Sequence, residues 1–296
     1  MMKSKTFTWE QTLEKLFNAF FSNKVHKSFE KMILWASILG FTFHLLLIFA
    51  YKYEIFYLAI EPNLLKNPIS AIYTPFTIIL IYEIYLLVLY LPRSFTTSIS
   101  KQFEIISLIL IRRIFADIPK VDMNVNWFTS KTNTQLIYDL LGIVILYFLI
   151  YRFNKEKSKI PSKPKSDSIN RFVLFKKTIS VVLIILMIIL SFWSFTNWSN
   201  GLIKNQITEN INAVFYNDFF TLLILADVFI LLLSFKYTER YTQIIRNTGF
   251  VISTILIRLS FGAEGLTNVL LIISSVLFGL TILYIYNMST IQESNT

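Results

Sequence analysis

The chain repeats itself, and each copy carries four apolar stretches. LLKNPIS at 64–70 returns as LIKNQIT at 202–208. FT at 76–77, with Glu83 six residues on, returns as FT at 220–221, with Asp227 six residues on. SLILIR (Ser107 to Arg112) returns as STILIR (Ser253 to Arg258), and LGIVILY at 141–147 returns as FGLTILY at 278–284. Four anchors in one order restrict the chain to a doubled unit, and the apolar content says what kind. Hydrophobic residues fill 54% of 296 positions. A soluble domain of this length cannot bury so much apolar surface, whereas a bilayer requires it.

Eight segments reach the roughly 20-residue apolar length that a span needs. They run 33–53, 71–91, 97–118 and 136–152 in the first copy, and 173–195, 214–235, 242–262 and 266–287 in the second. The third of each set has charges near its start, Lys101 with Glu104 and then Arg246, before apolar residues take over. The expected fold is an all-α polytopic transmembrane helical bundle of eight spans, arranged as two parallel four-helix repeats. Its divisions are a cytoplasmic N-terminal segment (1–32), a first membrane repeat (33–152), a basic cytoplasmic linker (153–172), a second membrane repeat (173–287) and a short cytoplasmic tail (288–296).

Orientation follows from the basic residues. With the termini, the 92–101 and 236–247 loops and the 152–177 stretch on one side, that side holds 20 of the 28 Lys and Arg. Lys and Arg concentrate in cytoplasmic loops, so both termini are expected there in a multi-pass plasma-membrane protein. This placement also accounts for the net charge of +10 without nucleic acid. The 152–177 stretch, with prolines at 161 and 164, reads as a solvated, partly extended tether and topology anchor. A contact with anionic lipid head groups is its other reading. At the N-terminus, Thr8-Trp9-Glu10-Gln11 has the form of a capping box. Trp9, Leu13, Leu16, Phe17 and Phe20 follow on one helical face, which suits an interfacial helix or a contact with a partner subunit.

The deep charges carry the functional signal. Glu83 and Asp227 lie midway along the second span of each copy, and Arg112 and Arg258 lie in the third. Helical side chains tilt toward their own N-terminus, so in antiparallel neighbours acid and arginine lean toward one another. Pairing offsets much of the cost of charge in lipid, and intramembrane ionisable groups mark ion or solute pathways. Each pair is therefore either a tie that fixes helix order or part of a polar pathway. Asp139 opens the fourth span, where the second copy has Val276; it either joins the Glu83–Arg112 network or faces the outer interface. His44, midway along the first span, reads as a hydrogen-bonded histidine or a proton relay. Arg113, next to Arg112, is expected to snorkel to the outer surface.

The chain has no Cys and only two His, and it contains no phosphate-binding glycine loop, metal-spaced ligand cluster or nucleophilic triad. No cofactor, metal site or enzymatic activity is expected. The third span also lacks the regular basic spacing of a voltage sensor. A homo-oligomeric or cytoplasmic protein partner stays open.

Each copy resembles the small four-span bacterial membrane proteins of the phosphate-starvation-inducible PsiE type. The shared features are the mid-span acids Glu83 and Asp227, an Ile-rich third span ending in Arg112 or Arg258, and an acid opening the fourth span at Asp139 only. The resemblance implies a bacterial inner-membrane protein linked to stress or nutrient response, and no particular reaction. Two functions compete. One is permeation of a small ion or solute, protons included, through a polar centre built from Glu83, Asp227, Arg112 and Arg258. The other is a non-conducting membrane sensor, stress-response regulator or assembly subunit whose charges are structural.

Overall fold

Local sequence sets several helix starts before packing does. Ser22, Ser94 and Ser130 are N-caps, accepting hydrogen bonds from the backbone N–H of Val25, Thr97 and Asn133. The computed structural model describes residues 2–54, 65, 67–121, 127–128, 130–160, 167–203, 211–238, 240–263 and 265–295. Among these it forms nine α-helices and no strand: α1 Met2–Phe21, α2 Asn23–Lys52, α3 Tyr73–Tyr90, α4 Phe95–Asp117, α5 Lys131–Lys157, α6 Asp167–Ile203, α7 Ile211–Phe235, α8 Tyr241–Ser260 and α9 Gly265–Asn295. Positions 64, 66 and 204–210, which carry much of the first repeated motif, lie outside the described residues.

Among the described residues, six segments are long and apolar enough to cross a membrane by length and composition: Trp9–Lys52, Pro68–Tyr90, Lys131–Lys157, Ile169–Trp193, Asp218–Phe235 and Gly265–Thr290. The protein is therefore a multi-pass membrane protein with a helical bundle, and six of the eight expected spans meet this measure. The two that fall short are α4 and α8, the third helices of each copy. Their position supplies the reason. α4 packs on α3, α5 and α8, while α8 packs on α7, α9 and α4. Each turns one face into the bundle, where Ser98, Ser100 and Gln102 of α4 and Asn247, Ser253, Thr254 and Arg258 of α8 are buried, while Leu108, Ile111 and Phe115 of α4 and Ile245, Ile252 and Leu259 of α8 stay exposed. Helices shielded by other helices can carry polar groups that a lipid-facing helix cannot. α2 is open over more of its surface, with Leu34, Trp35, Leu39, Phe43 and Leu46 exposed.

Small residues and paired hydroxyls close the seam between α8 and α9. Ser253 Oγ donates to Ser275 O at 2.7 Å, and Ser275 Oγ donates back to Ser253 O at 2.5 Å. Gly249 faces Ile282, and Gly279 faces both the Phe103 ring of α4 and Ser253. Such contacts let helices approach closely where lipid gives no hydrophobic drive to associate.

The second and third helices of each half are built alike. Phe76 of α3 stacks on Phe115 of α4 with ring centroids 4.8 Å apart and 10° between planes. Phe220 of α7 stacks on Phe261, just past the end of α8, at 4.8 Å and 12°. These phenylalanines belong to the FT motifs and to positions three residues beyond Arg112 and Arg258. The fourth-helix motif behaves differently. Gly142 of α5 packs on Val269 of α9, whereas Gly279 packs on Phe103 and Ser253. The matching letters of LGIVILY and FGLTILY do not occupy matching surroundings.

Two expectations at the ends of the halves need correction. The basic stretch after the first half is largely helical: α5 continues to Lys157 and α6 starts at Asp167, while 161–166 lie outside the described residues. Its residues are also drawn into the bundle, with Phe153, Glu156 and Lys176 buried. Asn287 Nδ2 donates to Glu156 O at 3.0 Å, which ties α9 to α5 there. At the N-terminus α1 already runs from Met2, so Thr8 sits inside a helix and not at its cap. Leu13 and Phe21 are buried and α1 packs on α2 and α6, while Trp9 and Leu16 stay exposed. Glu14 accepts from Lys177 Nζ at 2.9 Å, and Tyr85 OH donates to Phe20 O at 3.0 Å.

Candidate functional site

α3 runs antiparallel to α4, and α7 to α8, which brings each deep acid level with the arginine of the next helix. Arg112 Nε donates to Glu83 Oε2 at 3.2 Å, with the Glu83 side chain 2% exposed. Arg258 Nη1 lies 2.7 Å from Asp227 Oδ2, and Thr254 Oγ1 donates to the same oxygen at 3.0 Å. The second pair is more enclosed, with side-chain exposures of 3% and 8% for Arg258 and Asp227. Arg258 Nη2 also donates to Gln102 Oε1 at 3.2 Å, linking the second half to α4 of the first. Nothing singled out Gln102 in the sequence, since one amide in a serine-rich turn carries no pattern.

Asp139 and Arg113 are brought together, which corrects the expectation that Arg113 turns to the surface. Arg113 Nε donates to Asp139 Oδ2 at 2.8 Å and Nη2 donates to Oδ1 at 2.5 Å, a two-pronged pair. Gln135 Nε2 adds a third hydrogen bond to Oδ1 at 2.7 Å. Asp139 is fully buried, so it neither joins the Glu83–Arg112 pair nor faces the outer interface. An acid at this depth needs a cation, and the guanidinium one step around α4 from Arg112 reaches it from α5's side. His44 stands apart from all of these, with Nδ1 2.6 Å from Thr74 Oγ1 between α2 and α3.

Lys176 belongs to the site and was not legible as part of it, because it closes a run of bases that reads as a linker. The residue is 3% exposed. Its Nζ donates to Arg93 O at 2.6 Å and lies 4.6 Å and 5.2 Å from the ring centroids of Phe95 and Phe172. Such cation–aromatic contacts compensate only part of a desolvated ammonium. A cavity of about 20 Å³ is lined by Lys176, Asp227, Gln102, Ser98 and Thr254 among others. That volume suffices for one water-sized occupant. Glu83 lines neither this cavity nor a larger apolar cleft of about 500 Å³ between α1, α2, α3 and α6.

The chain was compared with protein-family models, curated proteins and solved structures, and none of them matches it. The class defined by fold and site is thus a multi-pass helical membrane protein with charges paired inside its bundle.

Proposed function

We propose that the protein permits a small ion or solute, protons included, to cross the membrane through the polar centre of the bundle. On this reading α4 and α8 complete two sets of four membrane crossings in a duplicated chain. The observation that carries the proposal is the position of Asp227: a buried carboxylate, paired with Arg258, that borders a cavity large enough for water and shares it with Lys176, Gln102, Ser98 and Thr254. Buried intramembrane charge beside room for water is a usual mark of a pathway. Glu83–Arg112 and Asp139–Arg113 would then hold the first half in register around it. The PsiE-type resemblance, with its bacterial inner-membrane setting, agrees with this reading and specifies no substrate.

The second reading is a non-conducting sensor, stress-response regulator or assembly subunit. It draws support from Glu83, which has a partner and borders neither cavity. Flux across proteoliposomes separates the two. Wild-type vesicles should pass an ion that empty vesicles retain, and Asp227→Asn should abolish that flux in protein that still elutes as a folded species. Wild-type vesicles as tight as empty ones to protons, alkali cations and halides would reject permeation.

A further inference from the structure

The apolar cleft of about 500 Å³ between α1, α2, α3 and α6 follows from how the first two helices pack. α1 lies on α6 and α2 lies on α3, so the chain leaves α6 at the Ser22 elbow and a wedge opens beyond it. Phe20 and Val25 flank that elbow at the foot of the cleft, Ile81 and Tyr85 of α3 line it behind, and α6 lines it from Ile184 to Phe192. Those eight residue steps rise about 12 Å, close to the roughly 15 Å hydrocarbon depth of one leaflet. The wall is hydrocarbon almost throughout. Tyr85 OH is engaged by Phe20 O, and Ser191 is the one other polar side chain on it.

The exposed side of α2 sets the depth of the foot. Lys24, Lys27, Glu30 and Lys31 are exposed in its first turns, whereas from Met32 to Leu39 every exposed residue is apolar. Such a switch marks the boundary between head groups and hydrocarbon. Val25 and Phe29, which line the cleft, lie among the charged turns, so the cleft starts at head-group depth and rises into the apolar layer. Bases outnumber acids at this boundary, with Lys24, Lys27 and Lys31 at i, i+3 and i+7 against Glu30. We propose that the cleft holds one acyl chain of an anionic phospholipid whose head group sits beside Lys24 and Lys27. The chain is as well solvated there as in the bilayer, so packing seats it and the charged head group supplies the preference. A polar solute would find no converging polar groups in such a cleft.

Binding here is independent of whether the protein passes an ion. The melting temperature of delipidated protein in detergent is followed as dioleoylphosphatidylglycerol or dioleoylphosphatidylcholine is added. A saturable rise is expected from both, at about tenfold lower concentration for the anionic lipid, from the pull of the two lysines. Native mass spectrometry at saturation should show one retained lipid per chain. Ile188 is 52% exposed, so Ile188→Trp fills the cleft without disturbing the core and should abolish the rise. Ser191→Trp, also at an exposed position, should do the same one turn further along α6. Lys24→Gln with Lys27→Gln should keep the rise and lose the head-group preference. A wild type whose melting is flat to both lipids, or indifferent to head group, overturns the proposal. So does a Trp variant that melts cooperatively and keeps the full rise, or a double Gln variant that keeps the preference. A dimer in the mass spectrum that either Trp variant splits, with no lipid retained, would assign the cleft to a second copy and overturn it as well.

Discussion

Arg258 is enclosed by protein, and that enclosure fixes what its loss should do. Arg258→Met removes the ion-pair partner of Asp227, which keeps its Thr254 hydrogen bond and the Lys176 ammonium across the shared cavity, so destabilisation of about 3–5 kcal/mol is expected in a denaturant titration in mixed micelles. Adding Asp227→Leu removes the stranded charge, and the double variant should be more stable than Arg258→Met. A double variant no more stable than the single would show that the pair contributes packing and not charge compensation. The four deep charges could be read from the sequence because the recurring short motifs set each acid and arginine at matched positions in successive apolar segments. Arg113–Asp139 could not. Whether α5 presents its acid to Arg112 or to Arg113 depends on rotation about helix axes, which spacing along one chain does not encode. Lys176 was hidden for a different reason: a base among eight others in the Pro- and Ser-containing 152–177 stretch has the composition of a solvated segment, and only the start of α6 at Asp167 buries it.

Helices α4 and α8 carry the lesson at the next scale. Their ends were legible to within a few residues, because Ser94 caps one and both run apolar toward an arginine. Their place in the bundle was not, since a polar residue facing a neighbouring helix looks in sequence like a polar residue facing water. The seam they share with α9 is tight enough to test. A Cβ on Gly279 would stand 2.9 Å from Phe103 Cζ and 3.0 Å from Ser253 Oγ, both held by packing. Gly279→Leu should therefore destabilise by about 1–3 kcal/mol or more. A Cβ on Gly40 would meet Ile78 Cδ1, the movable tip of a side chain, at 2.9 Å and Thr74 Cγ2 at 3.1 Å, so Gly40→Ala should cost about 1 kcal/mol. Thermal unfolding of the two variants in one detergent checks the order, and equal losses would contradict it.

At the scale of the molecule, the count of crossings is open to direct measurement, because the chain contains no native Cys. Arg93→Cys precedes α4 and Phe128→Cys follows it, and both native residues are exposed. If α4 crosses the bilayer, a membrane-impermeant maleimide added to oriented vesicles should label one from each face. Labelling of both from the same face would leave α4 as a helix packed inside without crossing. Arg240→Cys and Gly262→Cys ask the same of α8. The burial of α4 and α8 has a further consequence for how the protein is made. A segment with Lys101, Gln102 and Glu104 near its start partitions poorly into lipid on its own. Its membrane integration must then await α5, which supplies the apolar wall and the Asp139 partner. A nascent chain halted before Lys131 should leave α4 open to added protease, and one extended past Lys157 should protect it.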